Sequence, residues 1–71
     1  MIVLVSVCNR EIDIDKFGNE KDAIKEMKRR YDEVIADEDS VDDSYFDEYR
    51  WNAWANIDDG DYQYNWVVAE V

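Results

Sequence analysis

The chain has 71 residues, with 19 Asp and Glu against eight Lys and Arg, for a formal net charge of −11. Hydrophobic residues make up 46% and aromatics 14%, too many for an acidic disordered tail, and the length suits one small domain, 1–71, that buries roughly 60% of its unfolded surface. No His, one Cys and two Gly exclude a His base or metal ligand, an internal disulfide and a Gly-rich phosphate loop.

Residues 2–7 are a short, continuous apolar run and predict a buried strand. Residues 11–15 alternate charges with Ile12 and Ile14, and either extend that strand or form an anchored loop. Asn19 is a good N-cap, with Asp22 at the third helical position and Phe17 bracing the entry. Ala23, Ile24, Met27, Tyr31, Val34 and Ile35 then recur at helical spacing, which predicts a helix over 20–36. Lys21, Lys25, Lys28, Arg29 and Arg30 fill its other faces as a solvated surface, and Glu26 can pair with Arg29 or Arg30.

Residues 37–50, DEDSVDDSYFDEYR, predict a second short helix capped by Ser40, with a helical turn over 41–46. Val41, Tyr45 and Tyr49 would share one face of it; the competing assignment is a loop that enters a strand near Glu48. The last third reads as a hairpin. Tyr49, Trp51, Ala53, Ala55 and Ile57 alternate along one strand, and Tyr62, Tyr64, Trp66 and Val68 along the next. Asp58-Asp59-Gly60-Asp61 is the turn between them.

The expected fold is α+β: a three-stranded, mainly antiparallel sheet with one long helix on one face, in the order β-α-(short α)-β-β. Residues 66–69 are apolar on both faces, which favours the last strand between the other two over an order that keeps the first strand at an edge beside the second.

Charge is unevenly spread. Residues 1–30 carry a net +1, residues 31–50 a net −8 and residues 51–71 a net −4. An acidic protein is repelled by phosphate backbones and anionic lipid, so the expected partner is a basic protein surface, without direct nucleic-acid or membrane binding. The start, MIVLVSVCNRE, lacks a basic leader and is too short to span a bilayer, and the lone Cys8 suits a reducing cytosol better than secretion.

Several chemistries fail on the residues. A calcium loop over 37–48 would have acids at its first, third and twelfth positions, but Val41 and Asp42 fall where an oxygen ligand and a Gly belong. Paired carboxylates act as acid and base only where a cleft separates their pKa values, and a chain this small has little room for one. Cys8 sits at the end of an apolar strand and reads as a structural thiol. Tyr49, Trp51, Tyr62, Tyr64 and Trp66 read as core and cross-strand pairs, since base stacking needs a basic groove and no base follows Arg50. No metal, cofactor or catalytic residue is expected, and the chain reads as a non-enzyme.

The candidate site is the acidic run. Asp37, Glu38, Asp39, Asp42, Asp43, Asp47 and Glu48, spaced at i, i+3 and i+4 on helical turns, would lie about 5–6 Å apart and imitate phosphates. Tyr45, Phe46 and Trp54 would add apolar anchoring, Phe46 and Trp54 falling opposite their aromatic neighbours.

In size, in the run DEDSVDDSYFDEY and in a strand-helix-hairpin order ending WNAWANIDDGDYQYNWVVAEV, the chain resembles small acidic proteins of phages and mobile elements, among them anti-CRISPR proteins and other DNA mimics. The resemblance implies inhibition by occupying the Arg- and Lys-rich nucleic-acid or PAM-reading surface of a nuclease complex. The basic helix departs from that pattern. The alternative is a homodimeric structural or adaptor module, paired through a sheet edge or the Trp54 face, whose acidic loop only solvates it.

Overall fold

The apolar run forms β1 (Ile2–Cys8), and the alternating segment after it is a strand of its own, β2 (Glu11–Phe17). A two-residue turn, Asn9-Arg10, joins them into an antiparallel hairpin in which Cys8 pairs with Glu11 and Ile2 with Phe17. Asn9 takes a φ of 58°, the left-handed region that Asn tolerates better than most residues. Its N–H donates to the Gln63 carbonyl at 2.9 Å, and its Oδ1 accepts from the Gln63 N–H at 3.0 Å.

The computed structural model describes residues 1–37, 41–57 and 62–71, with Asp37 and Asp42 described by backbone alone. The long helix α1 (Glu20–Asp37) matches its predicted span within one residue. Its cap is the expected one: the Asp22 N–H donates to Asn19 Oδ1 at 2.9 Å. Then follow β3 (Val41–Asp47), β4 (Asn52–Ile57) and β5 (Tyr62–Glu70). All pairings are antiparallel, in one sheet of order β2-β1-β5-β4-β3.

The expected three-stranded sheet is thus corrected to five strands, and β-α-(short α)-β-β to β-β-α-β-β-β. The additions are both edges. β2 is separate because Asn9-Arg10 reverses the chain rather than continuing it. β3 replaces the predicted helical turn over 41–46, because the edge of β4 offers its backbone a full hydrogen-bonding partner. The strand predicted from Tyr49 begins at Asn52, with residues 48–51 in the turn from β3. The centre stands as expected: β5 lies between β1 and β4, antiparallel to both. The predicted Asp58–Asp61 turn lies outside the described residues, while Ile57 pairs with Tyr62 across the two strands it joins.

α1 runs between the two edge strands in sequence and touches all five strands. Ile2, Leu4, Ala53, Trp66 and Val68 of the sheet close on Ala23 and Met27 of the helix. Phe17, Ile24, Tyr31, Val34, Phe46, Trp51 and Tyr64 pack around them. Trp66 is the hub: 2% exposed, paired in register with Ser6 and Ala53, and met edge-on by Tyr31 at 6.2 Å. Burying an aromatic of 150–250 Å² stabilises by roughly 4–6 kcal/mol as an upper bound. Tyr31 is held by its hydroxyl, which donates to Ser44 Oγ at 3.0 Å. Among the described residues, no helix is long and apolar enough to cross a membrane.

Met27 is fully buried at the centre of the helix face. Met27→Ala is expected to cost about 2–5 kcal/mol, and Asn19→Ala about 1 kcal/mol, in urea denaturation followed by circular dichroism. A Met27→Ala loss no larger than that of Asn19→Ala would put the centre of the core elsewhere.

Candidate functional site

The acidic run does not lie on helical turns. Asp37 ends α1, Glu38 and Asp39 lie outside the described residues, and the acids from Asp42 to Asp47 belong to the edge strand β3. The helical spacing of carboxylates is therefore replaced by the alternation of a strand, in which i and i+2 lie about 6.8 Å apart on one face. Asp43, Tyr45 and Asp47 point away from the helix, and Ser44 and Phe46 toward it, as the Tyr31 contacts of the latter pair show.

Asp43 and Glu48 are exposed. Asp47 is not a free surface charge: its side chain is only 11% exposed and organises the turn into β4. Asp47 Oδ1 accepts the Arg50 N–H at 3.0 Å and the Tyr49 N–H at 2.9 Å, while Oδ2 accepts the Tyr45 hydroxyl at 3.2 Å. The Arg50 amide first, opposed by burial and joined by the Tyr49 amide and the Tyr45 hydroxyl, holds its pKa below the ordinary carboxylate value. That turn closes with Trp51 at a φ of 59°, whose carbonyl accepts the Val68 N–H at 2.9 Å.

The three expected anchors separate. Phe46, expected outward, packs inward: its ring lies 5.6 Å from Tyr31, with Lys28 Nζ 5.6 Å from its centroid. Tyr45 and Trp54 pair across β3 and β4 on the opposite face and stack at 6.3 Å, 29° apart. Strand parity decides this split, because neighbours in sequence point to opposite faces.

The basic helix is largely neutralised within the molecule. Lys28 pairs with Asp32 at 3.0 Å, and Arg29 with Glu26 and Glu33, both at 2.8 Å. Arg30 pairs with Glu26 at 2.7 Å, crosses to Asp15 of β2 at 2.9 Å, and donates to Ser6 Oγ at 2.9 Å. The Arg29 hydrogen bonds, opposed by partial burial and reinforced by Arg30, hold Glu26 at a pKa of about 2, down from 4.5. The exposed pairs are worth little in stability; Arg30, half-buried, ties an edge strand to the helix.

Beside that tie, a groove of about 590 Å³ opens between α1 and the β2-β1-β5 side of the sheet. Cys8, Asp13, Asp15 and Glu33 line it over Val34, Tyr64 and Trp66. Burial first, then the Asp13 and Glu11 charges, pushes the Cys8 thiol up, against a smaller opposite pull from Arg30. A thiol so placed is a poor nucleophile, and the nearby guanidinium is already engaged with two carboxylates. The groove was not read from the sequence: its one signal is that Glu11, Asp13 and Asp15 alternate on the face opposite Ile12 and Ile14.

Comparison with protein-family models, with curated proteins and with solved structures gives no match for this chain.

Two outcomes follow from the charges. A carboxyl depressed from 4.5 to about 2 stabilises the fold fully above pH 4.5 and loses that contribution as the pH falls toward 2. Glu26→Gln should therefore be less stable than the parent at pH 6 in urea titrations, with the gap closing between pH 4.5 and 2; a gap constant with pH would contradict the assigned role of the Arg pairs. Cys8 should react with iodoacetamide more slowly than free cysteine near pH 8, and Asp13→Asn should raise the rate. An unchanged rate in Asp13→Asn would mean that its charge does not act on the thiol.

Proposed function

We propose that this protein is a non-enzymatic binding protein that presents an acidic, nucleic-acid-mimicking surface to a basic nucleic-acid-binding protein, acting as an inhibitor of a target such as a CRISPR nuclease complex. One observation carries this reading above the others. The five-base stretch of α1, which would repel a basic target, has Lys28, Arg29 and Arg30 engaged by Asp32, Glu26, Glu33 and Asp15. A basic partner of the 37–48 carboxylates would therefore meet a reduced opposing field from the helix, that of Lys21 and Lys25. A net charge of −11 concentrated in this way favours fast, salt-sensitive association with an Arg- and Lys-rich groove.

The strand geometry guides which residues to neutralise in a test. Asp43 and Glu48 are exposed on the edge strand and its turn, and with Glu38 and Asp39 they form the set to neutralise. Asp47 is left intact, because its loss would open the β3–β4 turn rather than only remove a charge.

In a prokaryotic lysate at low salt, the protein should capture a basic nucleic-acid enzyme that duplex DNA displaces and high salt releases. The quadruple variant E38Q/D39N/D43N/E48Q should lose at least about 90% of that capture while folding normally, a loss of more than about 1.4 kcal/mol. Undiminished capture by the variant, or capture that DNA does not compete with, sinks the proposal.

A further inference from the structure

The helix covers one face of the sheet; no element of the described chain covers the other. By strand alternation that outer face carries Ile12, Ile14 and Lys16 of β2, and Val3, Val5 and Val7 of β1. β5 adds Asn65, Val67 and Ala69, β4 adds Asn52, Trp54 and Asn56, and β3 adds Asp43, Tyr45 and Asp47. Val3, between Lys16 and Ala69 in register, is already buried. Its neighbours are not: Ile12 is 65% exposed, Ile14 63%, Tyr45 49% and Val67 46%. A β-branched aliphatic left this open on a sheet face is a cost that a partner surface removes.

Charge decides what the partner is. The molecule carries −11, yet the described side chains of this face carry one base and two acids, a net of −1. A strongly basic partner gains little here, while a neutral, self-complementary surface fits a second copy of the same chain. The two signs sit at opposite edges, Lys16 on β2 and Asp43 and Asp47 on β3, with β5 midway between them. A two-fold axis running along β5 lays β2 of one copy over β3 of the other. With the register kept, Ile12 comes against the Tyr45–Trp54 stack, Ile14 comes to the level of Asp47 and Asn52, and Lys16 lies one residue pair beyond Asp47, within reach of that acidic corner. Five strands about 4.8 Å apart and six residues at about 3.4 Å give a projected area of about 490 Å². Side-chain relief raises the accessible area above that figure, toward the roughly 600–800 Å² per partner of the smaller stable interfaces.

We infer that the protein is a face-to-face homodimer, formed by packing the outer faces of the two sheets about an axis along β5. The inference goes beyond the proposed function: the two surfaces meet only at Asp43, and they respond oppositely to salt. Two copies at −11 repel, so screening tightens the dimer, whereas screening loosens a basic partner.

Sedimentation equilibrium of the whole chain, from about 10 μM to 0.5 mM, tests it at about 50 mM and 500 mM salt. The expected species approaches twice the 8.5 kDa chain mass, with a Kd about tenfold lower at the higher salt. Ile14→Glu should abolish the dimer with an unchanged circular dichroism spectrum, since that side chain makes no core contact. A second variant separates this face from the sheet edges. In a Cys8→Ser background, Val67→Cys lies across from its own copy near the axis, with the two backbones about 10 Å apart, and should be joined by a short thiol-to-thiol cross-linker. Pairing through an edge strand instead would hold the two Val67 positions about 20 Å apart or more, two strand spacings in from each edge. A monomer at all concentrations, a dimer that survives Ile14→Glu, or a Val67→Cys pair that does not cross-link overturns the inference.

Discussion

A single helix can shield only one face of a five-stranded sheet, and the rest of this molecule follows from that inequality. Eighteen residues give α1 a length of about 27 Å, enough to cross the sheet once. The face beneath it holds the bulk: Trp66 at the centre, Leu4 and Val68 beside it, with Ala53 on β4 offering no bulk where the helix lies close. The face beyond it has only its own neighbours. The same strands therefore carry two different surfaces, one a core and one an apolar plane open to solvent. Period-two alternation is what keeps the two apart.

Charge is arranged around the same division. Arg30 ties the helix to the sheet through hydrogen bonds, reaching from α1 to Asp15 of β2 and to Ser6 of β1. β2 is an edge strand whose other face bears Ile12 and Ile14, so this tie fixes which of its faces turns inward. Lys28 and Arg29 are used along α1 itself, where i,i+3 and i,i+4 carboxylates pair with them. On the far edge, Asp47 spends its lone pairs on turn amides, so that proximity in sequence to other acids says little about its role.

Some of this was legible in the residues and some was not, for identifiable reasons. α1 and its Asn19 cap are local features, decided within one or two turns of chain, and both stand in the structure. The placing of β5 between its neighbours was legible because residues apolar on both faces need cover on both sides. β3 reads as helical in the sequence because Val41, Tyr45 and Tyr49 recur every four residues; a bulge between Val41 and Asp43, which no local period announces, sets Val41 beside Ile57 and Tyr45 beside Trp54 on the other face, with Tyr49 in the turn. Asp is disfavoured in strands in general, but an edge strand keeps its charges in solvent, and there the preference is weak. β2 was left open between strand and loop because a two-residue reversal carries so little signal; Asn9, at ease with a positive φ, was that signal.

The amino-acid sequence by itself determined the local periods: one amphipathic helix and its cap, a paired aromatic hairpin, and an acid excess confined to the chain after residue 31. The tertiary structure decided what each face meets. It turned Phe46 to the core and Tyr45 to the open face, engaged Arg30 with a carboxylate fifteen residues away, and left Ile12 and Ile14 uncovered. The physical reason is that a period states which residues share a face. Burial and ion pairing depend on the distance to residues remote in the chain, and only the closed sheet sets those distances.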